Sequence, residues 1–386
     1  MVTNGISKLD LKRQNRMQII RLLRSSGPTS RIDIARKIAI TKAAVTIITN
    51  EMIEQGVLYE KGEQAPKSAK LSRGRKKILL DINPTYKMDM GLVLDGGSLF
   101  FGLCTLHGEP VEKHAVPIPS GETADSILTV IEKLYRELLY KNDLTPAQIT
   151  GLGVCVAPAY WDAFGIGAVN GRIDWLPLQK RLSAFAALPM TFGSVTEGAA
   201  VAECDYWQAE EQSCTDLLVF RCGERLACTP LLGAELYRGV HGKAASMPEN
   251  TALETLLEKC RLLFSEQNTP ELWVAAGGNP ARILPELRSP ENSLLDPPVR
   301  AAVEEFLQNR LAAIHAAVQL FDPGRVVLLE GPEGADALFT KLAASAEERL
   351  AELGYSVSCS QMRGPDLFLA GAALSTRDFF MNRGGF

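Results

Sequence analysis

The sequence of 386 residues has few of the features that mark secreted, metal-binding or membrane proteins. Its eight cysteines include no CxxC pair and its four histidines are isolated, so we predict reduced thiols, no disulfide framework and no metal site. No run approaches the ~20 apolar residues of a membrane span, and the N-terminus lacks the apolar core of a secretory signal. We therefore expect a cytoplasmic protein without membrane association.

The net charge of −4 conceals a strong asymmetry along the chain. Residues 1–77 hold 17 Lys and Arg against 6 Asp and Glu, a balance of +11. Of the 41 basic and 45 acidic residues in total, the remainder of the chain holds 24 and 39, a balance of −15. A basic N-terminal part on an acidic body is typical of a domain that binds a polyanion, although charge alone also fits a solvated basic surface.

The N-terminal part has the pattern of a helix-turn-helix. Residues 15–24 carry apolar side chains at helical spacing, Ser30 caps a short second helix, and Thr41 caps a third. A tight turn separates the second helix from the third, and this arrangement allows the third helix to enter the major groove of DNA. Three helices alone also form a common packing module, so DNA binding depends on further features.

Two such features are small residues on the third helix and a β-wing after it. Ala43 and Ala44 let the start of this helix approach base edges, while the segments VLYEKGE and RGRKKILLDI form the two strands of the wing. We therefore predict a partner, double-stranded DNA. The predicted contacts are Ser30, Arg31, Thr41, Lys42, Ala43, Thr46, Thr49, Arg73, Arg75 and Lys76.

The remainder of the chain contains two similar halves. Residues 88–118 and residues 216–242 each contain three strand-like segments with glycines at the turns, and a helical region follows each set. This repetition predicts an α/β fold in which an N-terminal winged helix-turn-helix precedes a duplicated, two-lobed domain of the actin/hexokinase-like (ribonuclease H-like) type. We place the boundary between residues 1–83, called the head below, and residues 84–386, called the body.

Several segments in the expected order carry a resemblance to the ROK proteins (repressors, open reading frames, kinases). TKAAVTII, from Thr41, resembles the recognition helix of the regulator branch of that family. In the body, the similar segments are GLGVCVAP from Gly151, WLPL from Trp175, AAVAE from Ala199, LYRG from Leu236 and FDPGRVVLLEG from Phe321. The resemblance implies a regulator related to sugar kinases.

The residues that a ROK kinase needs for phosphoryl transfer are replaced in this chain. Leu94 occupies the place of the carboxylate in the first phosphate motif, and Glu224 stands in the second phosphate turn, where it repels phosphate. The resemblance places Val195 where the family has its aspartate base, and valine cannot accept a proton. We therefore expect no enzyme activity and no cofactor.

The sugar-binding and zinc-binding segments of the family are altered as well. The sugar motif becomes ASMPE from Ala245, and the cysteine-rich zinc loop that follows it in the family is deleted. The polar side chains in and around the altered sugar motif either form a polar pocket of changed composition or are surface charges beside a closed cleft. The predicted ligand-binding residues are Arg172, Glu197, Ser246, Glu249 and Glu254.

We interpret the chain as a sequence-specific transcriptional regulator of carbohydrate-related genes, whose body responds to a sugar or sugar derivative. A homodimer or a higher even-numbered oligomer reading an inverted repeat is expected, because one winged helix contacts only a few base pairs. A helix over residues 299–320 supplies an apolar stripe that forms either an interface or part of the monomer core. Two alternatives stay open: an active carbohydrate kinase, and a body that binds only protein partners.

Overall fold

The computed structural model describes residues 8–63, 77–169, 172–207, 215–240, 242, 244–289, 296–331 and 336–383. Among the helices in these ranges, none is long and apolar enough to cross a membrane.

The head is a winged helix-turn-helix, as predicted. Strand β3 lies between β1 and β2, antiparallel to both, and the three helices pack their apolar faces on this small sheet. The elements of the head are α1 (Lys8–Ser26), β1 (Thr29–Ser30), α2 (Arg31–Lys37), α3 (Lys42–Glu54), β2 (Leu58–Glu63) and β3 (Ile78–Ile82).

The first lobe of the body is a five-stranded mixed sheet in the order β10-β7-β4-β5-β6. Strands β4, β5 and β6 form an antiparallel meander, and β7 and β10 extend it in parallel. Its elements are β4 (Met88–Asp95), β5 (Ser98–Thr105), β6 (Pro110–Pro117), α4 (Ala124–Lys141), β7 (Ile149–Val156), α5 (Trp161–Phe164), β8 (Gly167–Val169), β9 (Arg172–Asp174), α6 (Leu176–Leu182), β10 (Met190–Gly193) and α7 (Val195–Asp205).

The second lobe repeats this topology. Its sheet has the order β13-β12-β11-β14-β15, with an antiparallel meander of three strands and two parallel strands added beside the first of them. The elements are β11 (Leu217–Cys222), β12 (Leu226–Leu232), β13 (Glu235–Leu236), α8 (Leu253–Leu263), α9 (Pro270–Ala275), α10 (Ile283–Arg288), α11 (Pro297–Phe321), β14 (Arg325–Glu330), α12 (Ala337–Ala351) and β15 (Val357–Cys359). The predicted duplication is confirmed.

The last helix, α13 (Phe368–Met381), returns to the first lobe and crosses strands β4 and β7. Glycines allow this helix to approach the sheet at backbone distance. A Cβ atom at Gly153 would lie 1.8 Å from the carbonyl oxygen of Gly371, and one at Gly91 would lie 1.9 Å from that of Phe368. Any side chain at these strand positions would therefore displace the helix.

The head packs directly on the body. Its apolar core combines side chains of α1, α2, α3 and the wing strands with Leu106 from the first lobe and with Phe379 and Phe380 from α13. Tyr86, which follows the predicted boundary, also packs against this core. The boundary between residues 83 and 84 stays a prediction, and the two parts share one hydrophobic cluster.

The apolar stripe on α11 lies inside the monomer. The side chains that form this stripe are all nearly or fully buried: Val303, Phe306, Leu311, Ile314 and Val318. They pack on neighbouring helices and on the second-lobe sheet. Because this surface is already covered, the stripe is part of the core and offers no contact to a second copy.

Candidate functional site

Helix α3 begins at a well-formed cap. Thr41 has extended backbone angles, and its side-chain oxygen accepts a hydrogen bond from the backbone nitrogen of Ala44 at 3.2 Å. Val45, Ile48 and Met52 then point into the head core. The start and the buried face of the predicted recognition helix are therefore confirmed.

The opposite face of α3 is open to solvent. Lys42, Ala43 and Thr46 are exposed, as predicted, and Ile47 and Asn50 lie on the same outward side. The sequence interpretation missed the last two. Their spacing of four and seven residues from Ala43 was the available signal, because residues at these intervals share a helix face.

Thr49 and Ser30 are predicted from the sequence to contact DNA, and the structure corrects both predictions. Thr49 is fully buried and donates its hydroxyl to the carbonyl oxygen of Val45 at 2.8 Å, because a residue four positions after Val45 lies on the core side. Ser30 is also buried. It caps α2 by accepting a hydrogen bond from the backbone nitrogen of Asp33 at 3.3 Å, and its hydroxyl donates to the Asp33 carboxylate at 2.6 Å. Neither side chain is placed to touch a base.

Arg31 is engaged within the head. Its Nε donates to Thr49 Oγ1 at 3.1 Å, one terminal nitrogen donates to Glu60 at 3.1 Å, and the other donates to Asn50 Oδ1 at 3.0 Å. The guanidinium thus ties the start of α2 to α3 and to the wing. This arrangement does not support the predicted direct contact of Arg31 with DNA. Arg31 instead orients the side chain of Asn50.

The wing strands are present as predicted, with β2 antiparallel to β3. The three basic residues placed near the wing tip lie outside the described residues: Arg73, Arg75 and Lys76. Lys77 begins the described part of the returning segment and pairs with Asp33 at 3.0 Å.

An ion cluster joins the head to the body. Asp205, at the end of α7, is buried and pairs with Arg21 of α1 and with Arg377 of α13, both at 2.7 Å. Burial alone would raise the pKa of the Asp205 carboxyl, but Arg21 and Arg377 hold this pKa well below its usual value. Next to this cluster, Arg24 lies over the ring of Tyr206, with 4.6 Å between the guanidinium carbon and the ring centroid.

A cavity of about 640 Å³ lies between the two lobes. The β4–β5 turn, the residues after β7 and the start of α7 line it from the first lobe. The second lobe contributes β12, the turn before it and residues 244–249. This volume suits a small molecule of the size of one or two sugar rings.

An ion pair crosses the cavity. Asp95, at the end of β4, accepts two hydrogen bonds from the guanidinium of Arg221 on β11, one of them at 2.8 Å from Nε. Asp95 is buried, and burial raises the pKa of its carboxyl while Arg221 opposes that shift. This pair was not predicted from the sequence. The two residues therefore connect the lobes where the family's phosphate turns meet.

The turn between β11 and β12, which corresponds to the second phosphate turn, is fixed by hydrogen bonds to its backbone. Arg310 of α11, itself buried, donates to the carbonyl oxygens of Gly223 at 2.7 Å and Thr251 at 2.9 Å. A Cβ atom at Gly223 would lie 2.7 Å from the guanidinium of Arg221, so the turn packs tightly against the ion pair. The exposed Glu224 follows on this turn and adds negative charge to the wall of the cavity.

Two of the five predicted ligand-binding residues, Ser246 and Glu249, line the cavity. Glu197 is instead part of a capping box, accepting from the backbone nitrogen of Ser194 at 2.9 Å and pairing with Arg238. Arg172 lies on the exposed β8–β9 hairpin, and Glu254 pairs at 2.6 Å with Arg261 on the surface. Local partners hold Glu197 and Glu254, Arg172 lies on a separate hairpin, and none of the three is among the residues that line the cavity.

The position that the resemblance to ROK kinases assigns to a catalytic base is apolar. Val195 is almost completely buried at the cavity wall, as the first residue of α7. Within the described residues, no group of three or more His, Cys, Asp or Glu side chains is arranged to hold a metal ion.

The fold and the cavity define a two-lobed, sugar-kinase-like body that carries a winged helix. Among solved structures, a ROK family transcriptional regulator described as a homologue of the E. coli Mlc protein superposes with a TM-score of 0.62 at 17% identity, covering 96% of this chain and 97% of that one. A ROK family glucokinase from Streptomyces griseus, solved with glucose and AMPPNP, gives a TM-score of 0.55 at 19% identity over 74% of this chain and 98% of that one.

Sequence comparison gives relatives that are named repressors. A xylose repressor of Caldicellulosiruptor bescii is 24% identical over 243 residues, which are 62% of this chain and 59% of that protein. A xylose repressor of Staphylococcus xylosus is 20% identical over 263 residues, covering 63% of this chain and 62% of that one. No family model matches the chain. The aligned region thus spans about three fifths of these relatives, and the resemblance to ROK repressors stated from the motifs is confirmed.

Proposed function

We propose that the protein is a sequence-specific DNA-binding transcriptional regulator whose body binds a sugar or sugar derivative and has no kinase activity. The observation that carries the proposal is the outward face of α3. This face presents Lys42, Ala43 and Thr46 beside a capped helix start, on a head whose sequence has a charge balance of +11 in residues 1–77. The named repressors among the relatives support the same function.

The effector site is the interlobe cavity. Its volume of about 640 Å³ and its lining by Ser246 and Glu249 suit a polyhydroxylated ligand. The relatives named xylose repressors and the glucokinase that holds glucose support a pentose or hexose as the chemical class. Val195 in place of a general base and the Asp95–Arg221 ion pair between the phosphate turns disfavour phosphoryl transfer.

Helix α7 offers a route from the cavity to the head. Its first residues, Val195 and Thr196, line the cavity, and its last residue, Asp205, pairs with Arg21 of α1. Eleven helical residues span about 16 Å, so one rigid element connects the two places. A ligand that binds one lobe arrangement more tightly would shift α7 and with it the position of the head.

The protein is further proposed to act as a homodimer or a higher even-numbered oligomer on an inverted repeat. This rests on the small number of base pairs that one winged helix reads, and not on α11, whose apolar stripe is internal. Light scattering at micromolar protein, together with footprinting of a selected site, tests it. A monomer that protects one asymmetric half-site would contradict it.

The decisive experiment is selection of genomic DNA fragments by the purified full-length protein. We expect enrichment of one sequence, and an affinity for it that changes when pentoses, hexoses or their phosphates are added. Thermal-shift measurements with the same sugars report binding to the body separately. A protein that enriches no sequence would overturn the DNA-binding proposal, and one that selects DNA but responds to no sugar would overturn the effector proposal.

A further inference from the structure

Ile47 is an exposed aliphatic side chain in the middle of the recognition helix. About 60% of its surface is open to solvent, while Val45 and Ile48 on either side are buried in the head core. Packing of the head therefore does not account for an isoleucine at this position. Single exposed apolar residues are common on protein surfaces, so it is the position of Ile47 on the outward face of α3, and not its exposure alone, that points to a contact made outside the monomer.

Ala43 lies one helical turn before Ile47 on the same face. The two side chains form a short apolar strip. It is flanked by the more polar residues Lys42, Thr46 and Asn50. The strip lies directly opposite the buried face of α3, on the side that enters the major groove when a helix-turn-helix binds DNA.

The major groove presents an apolar group at only one base, the C5-methyl group of thymine. An alanine or a larger aliphatic side chain reads this methyl group by direct contact, because both surfaces leave water together. Lysine, threonine and asparagine read the polar edges of neighbouring bases. The apolar strip on α3 thus has one matching feature in a DNA duplex.

Asn50 supplies a hydrogen-bond donor beside this strip. Its amide oxygen accepts a hydrogen bond from Arg31 at 3.0 Å, and an amide held in this way directs its nitrogen as a donor. Purine N7, guanine O6 and thymine O4 are all acceptors in the major groove. Asn50 thus offers a donor to a base edge next to the pair whose methyl group meets Ile47, and the choice of thymine rests on the apolar strip alone.

We propose that Ile47, together with Ala43, reads thymine methyl groups, so that each operator half-site carries thymine at one or two positions facing α3. This rests on the proposed DNA-binding function. It adds to that function the specificity-determining residue and the chemical group that the residue recognises.

The test uses the operator selected from genomic fragments and replaces each thymine of a half-site singly with deoxyuridine. This change removes only the methyl group and preserves base pairing. At one or two positions we expect the affinity to fall about fourfold, the equivalent of one buried methyl group. At the position that Ile47 contacts, Ile47→Ala should bind the thymine and uracil duplexes equally, whereas wild type and Ile47→Val should distinguish them.

Leu11→Ala is the matched control, because Leu11 is a similarly exposed aliphatic residue of the head that lies on α1. This variant should keep the full sensitivity to uracil. Specific binding that no uracil substitution weakens would overturn the inference while leaving the proposed function intact. The inference would also be overturned, with the proposed function intact, if Ile47→Ala changed the oligomeric state but not the discrimination between thymine and uracil. Failure to select any DNA sequence would overturn both.

Discussion

Arg21 of the head and Asp205 of the body form an ion pair in which Nε lies 2.7 Å from Oδ1, at the end of the helix that begins in the cavity. Arg377 supplies a second guanidinium to the same carboxylate. Asp205 is therefore paired with a residue of the head and with one of the body at once. The Arg21 contact is the one that depends on the position of the head.

Replacing Arg21 with methionine should uncouple DNA binding from the effector. The carboxylate of Asp205 keeps Arg377 as its partner, so the fold and the cavity survive the change. We expect the effector to shift the affinity of wild type for its operator about 5–150-fold and that of the variant less than about twofold. Thermal shift by the effector should be unchanged. Arg136→Met, at an exposed ion pair on α4, is the control, and a full response in Arg21→Met would contradict the role of α7.

The Asp95–Arg221 pair should contribute strongly to stability when only one partner is removed. Arg221→Ala leaves a buried carboxylate without its counter-ion, which costs about 3–5 kcal/mol of unfolding free energy. The double variant Asp95→Asn with Arg221→Met should recover most of this loss, because no buried charge stays unpaired. Denaturant unfolding measures both. If Arg221→Ala costs no more than the exposed control Arg136→Ala, the pair does not hold the lobes together.

Asp89 should make the protein less stable as the pH rises. Burial raises the pKa of this β4 carboxyl from 3.8 to about 6, while Thr150, which donates to it, lowers the pKa only in part. The unfolded chain loses its proton first, so stability falls between about pH 4 and pH 6 and then stays constant. A rise of the pKa from 3.8 to about 6 corresponds to about 3 kcal/mol of unfolding free energy at most.

Asp89→Asn removes this ionisation, so the variant should gain stability over wild type at pH 8 and gain none at pH 4. Asp143→Asn, at an exposed position with a positive φ that asparagine tolerates, serves as the control. Chemical unfolding across this pH range gives the comparison. Parallel pH profiles for Asp89→Asn and wild type would show that Asp89 is ionised as readily in the folded protein as in the unfolded chain.

Lys42→Ala and Thr46→Ala should each weaken operator binding by ~1–3 kcal/mol, because both side chains project from the outward face of α3. The matched control is Lys133→Ala with Thr129→Ala on α4. There Thr129 is exposed and donates to the carbonyl four residues earlier, as Thr46 does in α3. Gel-shift titration at fixed salt is the measurement. Full operator affinity in the Lys42/Thr46 double variant would rule out this face of α3 as the reading surface.

Sugar phosphorylation should be absent over a panel of pentoses and hexoses in a coupled ADP-release assay. Val195 cannot accept the proton of a sugar hydroxyl, and Glu224 lies on the turn that would hold phosphate. Turnover near the ~1–100 s⁻¹ usual for kinases would contradict this expectation. The S. griseus glucokinase, whose fold this body shares, is the positive control.

Local patterns predicted the head well. The caps Ser30 and Thr41 and the core face of α3 depend on spacing within a few residues, and the repeated meander revealed the two lobes. The same spacing places Thr49 on the buried side, and a Ser-x-x-Glu capping box engages Glu197, so both of these errors were avoidable from the sequence.

The features that the sequence did not disclose are long-range contacts. Asp95 and Arg221 are 126 positions apart, and Arg21 and Asp205 are 184 apart, so no local periodicity links them. Each pair forms only when two separate elements have folded and packed. A single sequence carries no signal for such a pairing, because many charged residues compete as partners until the topology is known.

The contribution of α13 to the head core has a consequence for synthesis on the ribosome. The head is translated before both lobes, yet Phe379 and Phe380, which complete its core, are made only after both lobe sheets have been synthesised. The same helix closes over strands β4 and β7 of the first lobe. A nascent chain, or one that ends before α13, therefore lacks part of the packing beneath α3, and the head reaches its complete core only when α13 has docked.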